Sequence, residues 1–171
     1  DWCPPSYTAM KPDGVYVSCT VEGALPYTGF AALGQRRQRE ALERGTLTED
    51  GMRVGSVEPL GVADDRIEAA LAAIGRAEGK PNASMAAILE HVATAPALAV
   101  QTSVAFSSAR KWAAVQCAGT GAGRVETWVL GAPDVLLPPG HPVRTRSDAL
   151  ASEGLRVLAL ARSDAALPDP A

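Results

Sequence analysis

The residues in this chain best equipped for chemistry sit together at Phe106, Ser107, Ser108, Arg110 and Lys111. They follow the short apolar run from Thr102 to Ala105 and precede a second one from Trp112 to Cys117. A strand that ends in an aromatic and a basic pair, then re-enters a strand, offers a flat apolar surface beside positive charge. Such a surface suits an adenine ring carrying a phosphate tail. Arg156 is a further strong cation, on the same face of a strand as Leu158 and Leu160 and opposite Val157, Ala159 and Ala161. A cation there either snorkels to the edge or is held for a ligand.

Other polar groups support less. Gly119 to Gly123 invites a phosphate-loop reading, but that loop needs a Lys-Ser or Lys-Thr pair opening a helix. Arg124-Val125 follows instead and opens a strand, so the run is a hairpin turn. Glu90 and His91 are neighbours on a helical stretch and point in different directions, which makes them a surface pair. His141 lies in the rigid loop Pro138-Pro139-Gly140-His141-Pro142 and reads as exposed. Ser107 and Ser108 have no histidine nearby in sequence to act as base, so ribose or phosphate hydrogen bonding is the economical use of their hydroxyls.

Composition narrows the classes. The chain has 171 residues, 47% hydrophobic and 20% charged, enough for one domain with a real core. A net charge of -3 speaks against a nucleic-acid partner. Apolar stretches are too short and interrupted to cross a bilayer, so no direct membrane contact is expected, and no signal peptide is visible. Cys3, Cys19 and Cys117 have unrelated spacings, and the two histidines are far apart, so neither a metal site nor a disulfide framework is indicated. The expected setting is cytoplasmic.

The elements that must position these residues can be read in order. Gly14 to Val21 suggests a strand within residues 1–44, a segment that attaches to no evident core and is expected to be partly disordered. Met52 to Leu60 reads as a strand and Ile67 to Ala77 as a helix stopped near Gly79 and Pro81. Asn82 or Ser84 caps a second helix running to about Val92. Thr102–Phe106, Trp112–Cys117 and Arg124–Leu130 read as strands, the last two forming a hairpin. Ser147 is expected to cap a short helix through Ser152, followed by a strand from Leu155 to Ala161. Residues 163–171 read as a fraying tail. Helices inserted between strands around a hairpin predict an α+β fold, an antiparallel β-sheet flanked by helices.

Four motifs, in order over about residues 45 to 162, resemble the P-type cation-transporting ATPases. Gly45-Thr46-Leu47-Thr48-Glu49 looks like the second half of their D-K-T-G-T-L-T-E signature. Phe106-Ser107-Ser108-Ala109-Arg110-Lys111 resembles F-S-S-x-R-K, and Leu130-Gly131-Ala132-Pro133-Asp134 resembles K-G-A-P-E. Gly154 to Ala161 is similar to G-x-R-V-L-A-L-A. The resemblance implies the cytosolic nucleotide-binding domain of such a pump, over residues 45–162, with ATP as ligand and Mg-ATP as the parent pump's substrate. By the resemblance, Phe106 stacks on adenine, Lys111 lines the pocket, and Gly131 and Ala132 let the base approach the backbone. Arg156 reaches toward the phosphates, and Ser108 and Asn82 stand where polar nucleotide contacts occur. The L-G-A-P-D variant and the alanine-rich composition look closer to bacterial calcium or magnesium pumps than to heavy-metal pumps.

The departures carry equal weight. Leu42-Glu43-Arg44 occupies the D-K-T positions, so the phosphoryl-acceptor aspartate is missing and no catalytic residue is assigned. Leu130 replaces the lysine of K-G-A-P-E, and the acidic residue common at the position of Asn82 is also absent. The expected partners are adenine nucleotide and the phosphorylation and membrane domains of a parent pump. The chain on its own is expected to bind nucleotide without turnover. The competing expectation is a non-catalytic remnant or interaction module that keeps the fold and has lost nucleotide affinity. The change of character at Gly45 suggests that residues 1–44 come from a truncated or frame-shifted frame, or from a fusion.

Overall fold

The computed structural model describes residues 16–22, 53–60, 62–119, 124–152 and 155–167. Among these, six strands form one antiparallel sheet: β1 (Tyr16–Glu22), β2 (Arg53–Glu58), β3 (Val100–Ser107), β4 (Trp112–Ala118), β5 (Val125–Gly131) and β6 (Arg156–Ser163). Their spatial order is β2-β1-β6-β5-β4-β3. The helices are α1 (Asp64–Ala77), α2 (Ala83–His91), α3 (Pro133–Leu136) and α4 (Pro142–Ser152). This is the α+β arrangement expected from the sequence.

The period-2 alternation of the central strands builds two apolar layers. Ala113, Val115, Cys117, Trp128, Leu130 and Leu160 face one side, where Ile67, Leu71, Ile74, Met85 and Ile88 of α1 and α2 cover them. Trp112, Ala114, Val129, Ala159 and Ala161 face the other, against Leu136, Leu137 and Leu167. Trp128 is fully buried, the kind of burial that contributes about 2–3 kcal/mol. Leu158 and Ala159 fall on opposite layers, as the alternation around Arg156 requires.

Local chemistry explains the helix ends. Asp64 and Asp65 in the first turn of α1 and Arg76 in its last complement the helix dipole. Arg76 also donates to the carbonyl of Ala95 at 2.9 Å, fastening the end of α1 to the segment after α2. Asn82 caps α2, its side-chain oxygen accepting from the Met85 amide at 3.0 Å.

The structure corrects three expectations. Ser147 does not cap α4. The helix starts at Pro142, whose fixed φ and missing donor suit a first turn. Ser147 is buried inside the helix and donates to the Val143 carbonyl at 2.8 Å. His141 is not an idle loop residue: its Nδ1 accepts from the Val143 amide at 3.2 Å, at the start of the helix. The chain also stays on the sheet beyond Ser163. Leu167 is buried, its amide donates to Gln116 Oε1 at 2.8 Å, and Thr127 Oγ1 donates to the Ala165 carbonyl at 2.6 Å. The remainder of the tail expected over residues 163–171, from 168 onward, lies outside the described residues.

β1 belongs to the segment before Gly45, yet its backbone pairs with both β2 and β6. The rest of residues 1–44, the Gly45–Glu49 motif and most of the Gly119–Gly123 turn lie outside the described residues.

Candidate functional site

Antiparallel pairing collects the ends of several strands at one edge of the sheet. The end of β3, the start of β4, the end of β5 and the start of β6 all fall there. Trp112 pairs with Gly131, and Gly131 with Ala159, so the F-S-S-x-R-K, L-G-A-P-D and G-x-R-V-L-A-L-A motifs meet by register. The N-terminus of α2 closes over the same edge. Between them lies a cavity of about 560 Å³ lined by Asn82, Ser84 and Met85 of the α2 start, and by Phe106, Ser108 and Lys111 of the β3–β4 turn. Leu130 and Ala132 line it from β5 and its extension, with Arg156, Val157 and Leu158 from β6.

The turn that carries the basic pair is held by its own backbone. The amides of Arg110 and Lys111 donate to the Ser107 carbonyl at 3.1 and 2.7 Å. Ser107 Oγ accepts from the Arg110 amide at 3.2 Å, which fixes this hydroxyl as a turn element. Lys111 closes the turn at φ 61°, among the described residues the only non-glycine with positive φ. That region favours glycine or asparagine, so a lysine there is held against its backbone preference.

Phe106 is 37% exposed, leaving its ring open to the cavity. Lys111 Nζ lies 3.3 Å from Asp134 Oδ2, an exposed pair linking the turn to α3. Arg156 Nη1 donates to Ser84 Oγ at 3.1 Å, which brings β6 against the first turn of α2. The Asn82 side-chain oxygen is committed to its cap. Gly131 does not itself line the cavity. A β-carbon on it would lie 2.6 Å from Trp112 Cβ and 2.7 Å from the Lys111 carbonyl oxygen. The missing side chain therefore lets β5 approach the base of the turn. Leu130, at the family's lysine position, is 2% exposed and belongs to the helix-side core.

Six of the seven residues singled out from sequence line this one cavity: Asn82, Phe106, Ser108, Lys111, Ala132 and Arg156. Sequence reasoning did not assign Ser84, Met85, Val157 or Leu158 to it. Ser84 sits two positions after Asn82, but its partner Arg156 is far away in sequence, and no local signal links them. The arrangement offers an open aromatic face, apolar walls and two separated cations. These are the elements that a purine ring and an anionic tail require.

A smaller cavity of about 240 Å³ lies elsewhere, lined by Val57, Pro59, Asp64, Ile67, Glu68 and His91. His91 is exposed, as a surface residue should be. Among the described residues no cluster of His, Cys, Asp or Glu could hold a metal ion. No helix of the described residues is long and apolar enough to cross a membrane. Cys117 is buried, which pushes its thiol pKa up.

No protein-family profile matches the chain, and no solved structure matches it. Curated proteins do. The chain is 41% identical over 177 residues to the calcium-transporting ATPase CtpE of Mycolicibacterium smegmatis, a match covering 94% of this chain and 21% of the relative. It is 36% identical to the proteins of that name from Mycobacterium bovis and Mycobacterium tuberculosis, over 92% of this chain and 21% of each relative. The match thus takes in most of residues 1–44, the stretch whose change of character suggested a junction. The chain spans about a fifth of the length of the curated relatives it matches. The four ordered motifs and this similarity agree: over nearly its whole length, the chain is homologous to one portion of the calcium-transporting P-type ATPases.

Proposed function

We propose that this chain is the ATP-binding portion of a P-type calcium pump. It holds adenine nucleotide in the cavity between the β3–β4 turn, the β5 end, the start of β6 and α2. The observation that carries the reading is the convergence of Phe106, Lys111, Ala132 and Arg156, distant in sequence, on one cavity with an exposed aromatic. Phe106 stacks on the base, and Ala132 bounds it. Lys111 and Arg156 face the phosphates, with Ser108 and Asn82 at the polar margin. Cavity volume and lining suit a nucleotide without any phosphate loop.

The chain binds nucleotide and does not turn it over. Aspartyl-phosphate chemistry needs a carboxylate at the first position of the D-K-T signature, where this chain has Leu42, and the neighbouring Glu43 is out of register. In the parent pump, Mg-ATP bound here serves a phosphorylation domain, and calcium crosses through membrane segments, both supplied by other parts of the polypeptide. The domain works on the cytosolic side.

One specific pair of observations favours a second reading, a remnant without nucleotide affinity: Leu130 is buried where the family has lysine, and Lys111 is already paired with Asp134. Titration with a fluorescent ATP analogue separates the two. Saturable binding of about 4–5 kcal/mol is expected, lost in Phe106→Ala and weakened in Lys111→Ala. Identical curves for wild type and Phe106→Ala would leave the remnant reading standing.

A further inference from the structure

Phe106 occupies a break in the sheet. β3 is an edge strand, and its register with β4 shifts between Val104, opposite Ala114, and Ser107, opposite Trp112. Ala105 and Phe106 therefore stand together against Ala113, a β-bulge, and bulges re-aim side chains. At such a break the backbone groups lose part of their ladder and must be satisfied elsewhere.

Two side chains supply the replacements. Glu78, just past the C-terminus of α1, accepts the Phe106 amide through Oε1 at 2.5 Å. Arg110 donates from Nη2 to the Ala105 carbonyl at 2.7 Å, and its guanidinium carbon lies 5.5 Å from the centroid of the Trp112 ring. Successive backbone groups of the bulge are thus held by a carboxylate from the helix layer and a guanidinium from the turn. Both bonds are charge-assisted, the stronger kind. Neither residue lines the cavity.

We propose that Glu78 and Arg110 are positioning residues that lock the β3 bulge and so hold the Phe106 ring in its base-stacking orientation. This rests on the nucleotide site described above. Lys111 and Arg156 engage the anionic tail on their own, whereas base recognition depends on the lock. Glu78 in particular couples α1 to adenine recognition without touching the ligand.

The test uses the full chain and two readouts. In the nucleotide-free protein, exchange of the Phe106 amide proton, followed by NMR, is slow in wild type and in Glu78→Gln, which keeps an acceptor oxygen. It rises about tenfold in Glu78→Ala. In the second readout, ATP affinity falls about fivefold in Glu78→Ala and returns in Glu78→Gln, while affinity for inorganic tripolyphosphate stays level. Glu78→Ala added to Phe106→Ala costs nothing further. Wild-type exchange at Phe106 in Glu78→Ala would overturn the proposal, as would equal losses for ATP and tripolyphosphate. If wild type bound no ATP, the nucleotide reading would fall, and the exchange measurement would still decide whether Glu78 holds the bulge.

Discussion

The carbonyl oxygen of Lys111 stands 2.7 Å from the place a β-carbon on Gly131 would occupy, and it accepts the Ala132 amide at 3.0 Å. Two motifs distant in sequence are thereby joined backbone to backbone. Their glycine and their lysine form one structural unit beneath the cavity. Gly131→Ala must push β5 away from the turn, because the obstructing atoms are mostly backbone. It is expected to lower stability by about 2–3 kcal/mol in denaturant titration.

Lys111 separates stability from binding. Its positive φ suits glycine better than lysine. Lys111→Gly should therefore leave stability unchanged or raise it by up to about 1 kcal/mol in thermal unfolding. The same variant should bind the ATP analogue more weakly than wild type. A variant that lost stability and kept affinity would show that the lysine serves the fold instead.

Leu130 probes the departure from the family pattern. Replacing it with lysine places an ammonium in a position that is 2% exposed, at the cavity floor. Leu130→Lys is expected to cost about 2–4 kcal/mol. Added ATP should raise its Tm more than that of wild type, since the phosphates would meet the new charge.

Glu126 tests a structural ion cluster away from the cavity. It is 6% exposed and bonds to both Arg66 and Arg162, the latter at 3.2 Å. Both arginine side chains are 36% exposed, and solvent screening weakens the pairs. Glu126→Gln should cost about 1–2 kcal/mol in denaturant titration. ATP affinity should not change.

Acid sensitivity should trace in part to Glu58. Arg146 grips it with bonds of 2.7 and 2.6 Å, and this hydrogen bonding lowers its carboxyl pKa from the ordinary 4.5. A lowered folded-state value adds stability that is fully present above the unfolded-state pKa. That stability is lost as pH falls through the folded-state one. The pair is exposed enough that the effect amounts to about a few tenths of a kcal/mol. Urea midpoints of wild type and Glu58→Gln should differ slightly at pH 7 and converge below pH 4.5.

Local signals made much of this fold legible. Alanine-rich runs bounded by Gly79 and Pro81 marked α1, and alternation around Arg156 placed Leu158 and Ala159 on opposite faces. The site was legible only through ordered motifs, because its residues meet by strand register. What the sequence hid was long-range or positional. The insertion of β1 between β2 and β6 depends on pairing with strands remote in the chain. Ser147 resembled a cap only while Pro142 was read as loop. Leu167 looked like tail because its anchors, Gln116 and Thr127, lie on other strands. Glu78 looked like a helix-end residue, and only the bulge opposite it shows what its carboxylate holds.

The central claim is that one cavity binds ATP through groups from separate motifs. Titrating the full chain with ATP, followed by backbone amide NMR, tests it most directly. The amides of Ser84, Phe106, Ser108, Lys111, Ala132 and Arg156 should shift along one saturating curve, with Val143 and Leu167 on the opposite face unmoved. Shifts centred on Val57, Asp64 and His91, or no saturable shift at all, would contradict the account.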